Sequence, residues 1–209
     1  MITGIELGDF DLDSVMSEAE DNDSATAYTG EGTSRQIVFV IDASNSMQGH
    51  KIGSVNDCVN NILSKLRSLD RNAENPISIS VIGFSSKLFK WTDSFVRASD
   101  FKYSYVEMVD GVTDINAAFQ ELIPLTNSME KGAKKYVVLF SDGLTAEDYT
   151  ESLSQWRQSA LYTDIFKIAV TFDEDLRDSQ SVSFFNEFVG PGMIAPITDQ
   201  EQLLTALLG

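Results

Sequence analysis

Two short segments of this chain are almost wholly apolar, and an aspartate follows each of them. Residues 36–41 read QIVFVI and run into Asp42, and residues 134–140 read KKYVVLF and are followed two positions later by Asp142. Short β-branched and aromatic runs without polar alternation are typical of strands that are buried on both faces. Because such strands belong to parallel sheets with helices on each side, these two segments constrain the fold more than any other feature.

The rest of the chain alternates between helix-like and strand-like patterns. Residues 52–66 carry apolar side chains at the spacing of one helix face. Residues 76–84 alternate as a strand does, and 87–91 follow after a short turn, which predicts an antiparallel hairpin strand at the sheet edge. The remaining predictions are a long loop over 92–112, helices over 113–125, 147–160, 179–189 and 199–207, and strands over 164–172 and 193–197.

Strands that alternate with helices predict an α/β fold. We expect a Rossmann-like open, mostly parallel sheet with one antiparallel edge strand and with helices on both faces. Right-handed crossovers place the loops after parallel strands at one edge of the sheet, and ligands bind there where the strand order reverses. The strands over 36–41 and 134–140 are the candidates to flank that point.

The charge of the chain disfavours two classes of partner. The 209 residues carry a formal net charge of −17, and nine of the acids fall within residues 1–34, which contain no Lys or Arg. A strongly negative field repels phosphates and anionic lipids, so we expect no nucleic acid and no membrane partner. Residues 1–34 are also too polar to form a core, which predicts a disordered acidic tail before one domain over 35–209.

Apolar residues punctuate this acidic tail, so two roles stay open for it: a solubilising segment, or a peptide that folds on a partner. Its carboxylates could also compete for a metal site in the same chain. Cys58 is the single cysteine, which leaves no intramolecular disulfide, and the first residues lack the pattern of a signal peptide. We therefore expect a cytoplasmic protein that is monomeric on its own.

Five oxygen-bearing side chains follow the predicted strands or open a predicted helix. Asp42, Ser44 and Ser46 form a D-x-S-x-S string after the first apolar strand, Thr113 opens a helix, and Asp142 precedes a glycine after the second apolar strand. Hard divalent ions prefer oxygen ligands, and Mg²⁺ keeps several waters in its octahedral shell. The five side chains therefore predict a site for Mg²⁺ or Mn²⁺ at one sheet edge.

Local roles compete with the metal site at each of these positions. Asp42, Ser44 and Ser46 could cap the helix that follows them, and Thr113 and Asp114 could form the N-cap of the next helix. Asp142 with its glycine can form a plain turn. Each local role explains its own segment. We favour the metal site because all three segments fall at the same predicted sheet edge.

The three segments resemble the metal-ion-dependent adhesion site (MIDAS) of von Willebrand factor A domains. FVIDASNSM is similar to the first segment of that site, GVTDINAAF to its threonine segment and VVLFSDGLT to its third segment, in the family's order. The resemblance covers residues 35–209. One departure is Val112, which stands directly before the threonine where the family usually has glycine and implies a bulkier loop that alters access to the site.

The resemblance implies a role for each of the five side chains. Ser44 and Ser46 would bind the ion directly, and Thr113 would bind it directly or through water. Asp42 and Asp142 would act mainly through bound waters. One coordination position would remain for an Asp or Glu carboxylate from a protein partner, which makes the chain a metal-dependent protein–protein interaction module.

The setting of this module is predicted from the same resemblance. Without a signal peptide or disulfides, the chain looks more like bacterial intracellular members of the family, such as tellurium-resistance-type (TerY-like) proteins, than like secreted members. Those proteins are associated with kinases and phosphatases, which predicts an intracellular signalling or stress-response complex. An adaptor subunit of a ring-forming ATPase complex is the alternative.

A Mg²⁺-dependent hydrolase is the less favoured hypothesis. A haloacid-dehalogenase-type phosphatase needs an acid two residues after its nucleophilic aspartate, and Ser44 stands at that distance from Asp42. Ser44 as a nucleophile would need a base, but His50 is the single histidine and the chain has no G-x-S-x-G turn. We therefore predict that the chain is not an enzyme. Trp91 and Trp156 are expected to be partly buried core residues rather than a docking surface.

Overall fold

The computed structural model describes residues 33–71, 73–107, 109–145 and 147–209. Nearly all of the predicted acidic tail, 1–34, lies outside these residues. Among the described residues, no helix is both long and apolar enough to cross a membrane. The strands are β1 (Arg35–Asp42), β2 (Ile77–Phe84), β3 (Leu88–Lys90), β4 (Val96–Arg97), β5 (Lys134–Phe140), β6 (Ile165–Thr171) and β7 (Met193–Pro196). The helices are α1 (His50–Asp70), α2 (Ile115–Asn127), α3 (Thr150–Arg157), α4 (Ser179–Val189) and α5 (Gln200–Leu208).

The strands form one sheet in the order β3-β2-β1-β5-β6-β7, with β4 also paired to β2. β1 runs parallel to both β2 and β5, and β6 runs parallel to β5 and β7. β3 and β4 pair antiparallel with β2. The predicted mostly parallel sheet is therefore confirmed, although its antiparallel edge consists of two short pieces. The strand order reverses between β1 and β5, where the sequence placed the ligand edge.

The side chains of β1 alternate between two cores, one on each face of the sheet. Ile37, Phe39 and Ile41 pack in the core that includes α1 and α5. Val38 and Val40 pack in the core that includes α2, α3 and α4. Because helices cover both faces, every residue of β1 is buried, which is why its sequence is apolar without interruption.

Several sequence expectations need adjustment, including the helix predicted over 147–160, which spans Thr150–Arg157. The region 92–112, predicted as a loop, contains β4. Helix α2 begins at Ile115 and not at 113, because the carboxylate of Asp114 accepts the N–H of Asn116 at 3.1 Å as an N-cap. Trp156 is fully buried rather than partly buried, whereas Trp91 is half-buried as expected.

The end of α1 is fixed by Asp70, whose side chain is fully buried. Its carboxylate accepts the N–H groups of Ile77 and Ser99, each at 2.9 Å, and the Nη2 of Arg97 at 2.9 Å. Burial alone would raise the pKa of Asp70, but the Arg97 guanidinium and the two amides lower it to about 2. The carboxylate therefore joins α1 to β2 and β4 in its ionised form.

The turn after β5 packs closely against α4 at Gly143. This residue has φ +77, and a Cβ on it would lie 2.8 Å from the Phe185 ring and 3.0 Å from the Ser181 Cα. Gly132 has a similar φ of +87, but among the described residues nothing lies within 4 Å of a Cβ there. Gly143 is therefore required both by its backbone conformation and by the close approach of α4 to the loop that carries Asp142.

We expect Asp70→Asn to lower the free energy of unfolding by about 2 kcal/mol at neutral pH. Because the folded pKa of Asp70 lies below its unfolded value, the stabilisation is fully present above about pH 4 and is lost as the pH falls toward 2. Denaturant unfolding of both proteins across this range measures the difference. A difference between the two proteins that does not shrink in acid would contradict the assignment to charge.

Gly143→Ala and Gly132→Ala form a matched pair. Both substitutions force an alanine into a left-handed backbone, which costs about 1–2 kcal/mol. We expect Gly143→Ala to cost a further 1–3 kcal/mol, approximately, because its Cβ meets α4. Thermal or denaturant unfolding measures both, and equal losses of stability would show that the loop does not pack on α4 as described.

Candidate functional site

The loop after β1 and the loop before α2 are joined by backbone hydrogen bonds at the C-terminal edge of the sheet. Asp110 N–H donates to Ala43 C=O at 3.2 Å, and Asn45 N–H donates to Gly111 C=O at 3.0 Å. Gly111 has φ +83, and a Cβ on it would lie 2.5 Å from the hydroxyl of Ser86. The loop that carries the threonine segment is therefore held against the D-x-S-x-S segment.

Asp42 lies at the end of β1 and is fully buried. Its Oδ1 accepts the N–H of Ser44 at 2.9 Å, and its Oδ2 accepts the hydroxyl of Ser141 at 2.7 Å. Burial raises the pKa of Asp42 to about 6; hydrogen bonds from Ser44 and Ser141 partly oppose this rise, and the negative charge of Asp142 adds to it. An ionised Asp42 is thus a costly buried charge that a nearby cation would stabilise.

The two serines of the D-x-S-x-S segment lie side by side. The hydroxyl oxygens of Ser44 and Ser46 are 3.1 Å apart, with Ser44 buried and Ser46 half-buried. Ser46 and Thr113 line the same open depression, which has a volume of about 330 Å³. The structure therefore brings Ser46 of the serine segment and Thr113 of the threonine segment to one cleft.

Asp142, the fifth predicted side chain, is fully buried after β5. Its Oδ1 accepts the N–H of Leu144 at 3.2 Å, and its Oδ2 accepts the ammonium of Lys51 at 3.1 Å. Lys51 also donates to Asp175 at 2.9 Å. Burial would lower the pKa of Lys51, but Asp175 and Asp142 hold it above its usual value, so the ammonium stays charged.

Sequence reasoning missed three residues of this site: Ser141, Lys51 and Asp175. Ser141 stands next to Asp142 in the S-D-G segment, so it could have been found from its position. Lys51 falls in the first turn of α1, shortly after the serines, which is a weaker signal. Asp175 lies in the loop after β6, where it begins a short 3-10 helix, Asp175–Arg177. Nothing in its local sequence distinguishes it from the other acids of the chain.

The capping alternative holds for Asp114 but not for Ser44 or Thr113. The N-cap of α1 is Gly49, and that of α2 is Asp114 rather than Thr113. Ser44 precedes the short 3-10 helix Asn45–Met47, but among the described residues its side chain makes no capping hydrogen bond. The N-caps of α1 and α2 are therefore not the serines or the threonine of the candidate site.

The donor set fits a hard divalent ion. Among the residues that the structure describes, no three His, Cys, Asp or Glu side chains are grouped so that they alone could hold a metal. Ligands would have to include the hydroxyls of Ser44, Ser46 and Thr113, beside the carboxylates of Asp42 and Asp142. Neutral and anionic oxygen donors in this combination suit Mg²⁺ or Mn²⁺.

Curated relatives are similar in sequence to this chain over part of its length. The collagen alpha-1(VI) chain of Gallus gallus is 24% identical over 148 residues, which cover 64% of this chain and 14% of the relative. The inter-alpha-trypsin inhibitor heavy chain H2 of Homo sapiens is 28% identical over 121 residues, which cover 52% of this chain and 12% of the relative. The chain thus spans only a small part of the length of these relatives.

Solved structures share the fold at low sequence identity. Proximal thread matrix protein 1 from the mussel byssus, with a zinc-occupied MIDAS motif, is similar with a TM-score of 0.63 and 15% identity, over 84% of this chain and 47% of that chain. The von Willebrand factor type A structure from Catenulispora acidiphila gives 0.61 and 15%, over 85% and 42%. The SpRpn10 VWA domain gives 0.57 and 13%, over 85% and 98%.

A comparison with models of protein families agrees with the fold and with the three motif segments. The family model described as von Willebrand factor type A domain matches residues 36–183 of this chain. The match contains all three segments of the candidate site. The chain therefore belongs to the von Willebrand factor type A domain family.

Proposed function

We propose that this domain binds Mg²⁺ or Mn²⁺ through Asp42, Ser44, Ser46, Thr113 and Asp142, and that the ion binds an Asp or Glu carboxylate of a protein partner. Domains of this family are generally metal-dependent interaction modules, and the mussel neighbour carries zinc in its MIDAS motif. The observation that carries the proposal is the buried Asp42 carboxylate beside the paired hydroxyls of Ser44 and Ser46.

The charge of the chain explains why a carboxylate partner would need the ion. The net charge is −17, so an acidic side chain approaching the domain meets a repulsive field. A bound divalent ion supplies a positive centre with an exchangeable coordination position, which an anionic oxygen can take. Partner binding at this site would therefore depend on the metal rather than merely be strengthened by it.

The rim of the cleft favours a protein partner over a small anion. Val112 and Leu144 line the same depression as Ser46 and Thr113, and these two apolar residues are 54% and 40% exposed. Exposed apolar side chains beside a polar cleft are typical of contact surfaces that a partner covers. Val112, the departure from the family pattern, would thus contact the partner next to its carboxylate.

We also propose that the domain has no catalytic activity of its own. The hydroxyl of Ser44 contacts that of Ser46, and His50, the single histidine, is exposed with its Nε2 3.3 Å from Glu174. A serine nucleophile requires a base within hydrogen-bond reach, and the contacts of Ser44 and His50 do not form such a pair. This arrangement supports binding rather than hydrolysis.

The domain boundaries and the setting remain proposals. We place the interaction domain at residues 35–209 and an acidic tail at 1–34. The resemblance to tellurium-resistance-type members supports a cytoplasmic complex with a kinase or phosphatase, and an adaptor role beside a ring-forming ATPase is the alternative.

Divalent ions should raise the thermal midpoint of the domain. A ligand at about 100 times its Kd stabilises the native state by about 2.7 kcal/mol, which corresponds to roughly 5–10 °C for a domain of this size. Mg²⁺, Mn²⁺ and Zn²⁺ are compared by differential scanning calorimetry. The double variant Ser44→Ala, Ser46→Ala should lose the shift, and the control Ser64→Ala, Ser68→Ala on the exposed face of α1 should keep it. A wild-type midpoint that no ion changes would refute metal binding.

Partner capture from cell extract should depend on the same site. We expect the wild-type domain to retain its partner in Mg²⁺ and to lose it in EDTA, and Asp42→Ala to lose it in both conditions because the buried carboxylate no longer supports the ion. Mass spectrometry of the bound proteins discriminates a kinase or phosphatase from a ring-forming ATPase. A partner retained by Asp42→Ala in EDTA would bind elsewhere and would contradict the proposal.

A further inference from the structure

Lys51 is a partly buried cation in direct contact with the candidate metal site. Its Nζ lies 3.1 Å from Asp142 Oδ2 and 2.9 Å and 3.1 Å from the two carboxylate oxygens of Asp175. The side chain is 13% exposed, against 0% for Asp142 and 11% for Asp175. The Nζ also lies 5.4 Å from the centre of the Phe172 ring. These contacts hold the ammonium in one place rather than leave it to move in solvent.

The ammonium is paired with a carboxylate oxygen of Asp142, which would also attract an ion bound at this site. Asp142 Oδ1 accepts the N–H of Leu144, so the Oδ2 that faces Lys51 is the other half of the carboxylate. A divalent ion, or a water bound to it, that approached Oδ2 would meet a positive charge already paired there. Two cations in a weakly solvated site repel each other much more strongly than they do in water.

The same ammonium balances charges that are otherwise uncompensated. Asp42, Asp142 and Asp175 are all buried, and Lys51 is the positive side chain that contacts two of them in the described structure. Removing one partner of a buried ion pair leaves the other as an unpaired charge. Lys51 therefore stabilises the site in the absence of an ion.

We infer that Lys51 sets how tightly this site takes a divalent cation, by neutralising Asp142 and Asp175 and opposing the ion. The inference rests on the proposed function, since it concerns the same site. It also assigns a role to Asp175: this carboxylate draws the Lys51 ammonium toward the loop after β6 and so reduces its hold on Asp142. Lys51 is a positioning and affinity-setting residue and does not itself bind the ion.

Two substitutions should then change affinity in opposite directions. Lys51→Met keeps the apolar stem against Phe172 but removes the charge, and we expect Mn²⁺ to bind about tenfold or more tightly. Asp175→Asn leaves Lys51 to pair with Asp142 alone, and we expect Mn²⁺ to bind about threefold or more weakly. If the role of Lys51 were merely structural, both variants would be less stable, but their affinities for Mn²⁺ would not change in opposite directions.

The test is a titration of the full chain with Mn²⁺, with free Mn²⁺ measured by electron paramagnetic resonance. Lys51→Arg keeps the charge and should bind close to the wild-type affinity. Lys90, on the edge strand β3, forms an ion pair with Glu121. Lys90→Met changes the net charge by the same amount as Lys51→Met, so this variant controls for the change in net charge. Unfolding of each variant without metal accompanies the titration and should show Lys51→Met less stable than the wild type.

The outcomes separate this inference from the proposed function. Tighter binding by Lys51→Met together with weaker binding by Asp175→Asn supports the inference. Wild-type binding of Mn²⁺ with equal or weaker binding by Lys51→Met overturns the inference and leaves the metal site in place. If Lys51→Met does not fold, an unchanged affinity in Asp175→Asn overturns it instead. If the wild type itself binds no Mn²⁺, the proposed function fails and the inference fails with it.

Discussion

The candidate site at the C-terminal edge of the sheet depends on the hydrogen bonds of one buried carboxylate, that of Asp42. It lies where β1 ends between two parallel neighbours, at the reversal of strand order, and it is held by Ser44 N–H and by the Ser141 hydroxyl. These hydrogen bonds join the loop after β1 to the loop after β5. Because burial raises its pKa to about 6, this carboxylate is poorly stabilised as an anion by the protein alone. A cation beside it would relieve that cost.

The two central strands, β1 and β5, were predictable because one physical requirement determined their sequence. A strand buried on both faces has to be apolar throughout, and β1 and β5 show this pattern directly. Helix boundaries were less predictable because they depend on single hydrogen bonds. Asp114 caps α2, which begins two residues after its predicted start, and the short strand β4 depends on a pairing with β2 that no local pattern reveals. The three motif segments were found because each follows or opens such an element.

The contacts of Lys51 with Asp142 and Asp175 could not be predicted in the same way. Lys51 and Asp175 are 124 positions apart, and their contact arises only because α1 and the loop after β6 meet at the same edge of the sheet. A chain with 32 acidic residues gives no reason to single out Asp175. Pairing between distant charges is a property of the packed structure, whereas oxygen ligands placed directly after strands are a property of the sequence.

The contacts at this edge also explain why local capping is a poor account of the D-x-S-x-S segment. If Ser44 and Ser46 served mainly to begin α1, their hydroxyls would accept amide hydrogens at its first turn, but Gly49 occupies the N-cap and the two hydroxyls contact each other instead. Paired hydroxyls beside two buried carboxylates gather oxygen atoms in one place. Gathering them has an electrostatic cost, which Lys51 offsets only in part, since it contacts Asp142 and Asp175 but not Asp42 in the described structure. The remaining negative charge is what makes a cation site, rather than a capped helix, the better physical explanation of this sequence.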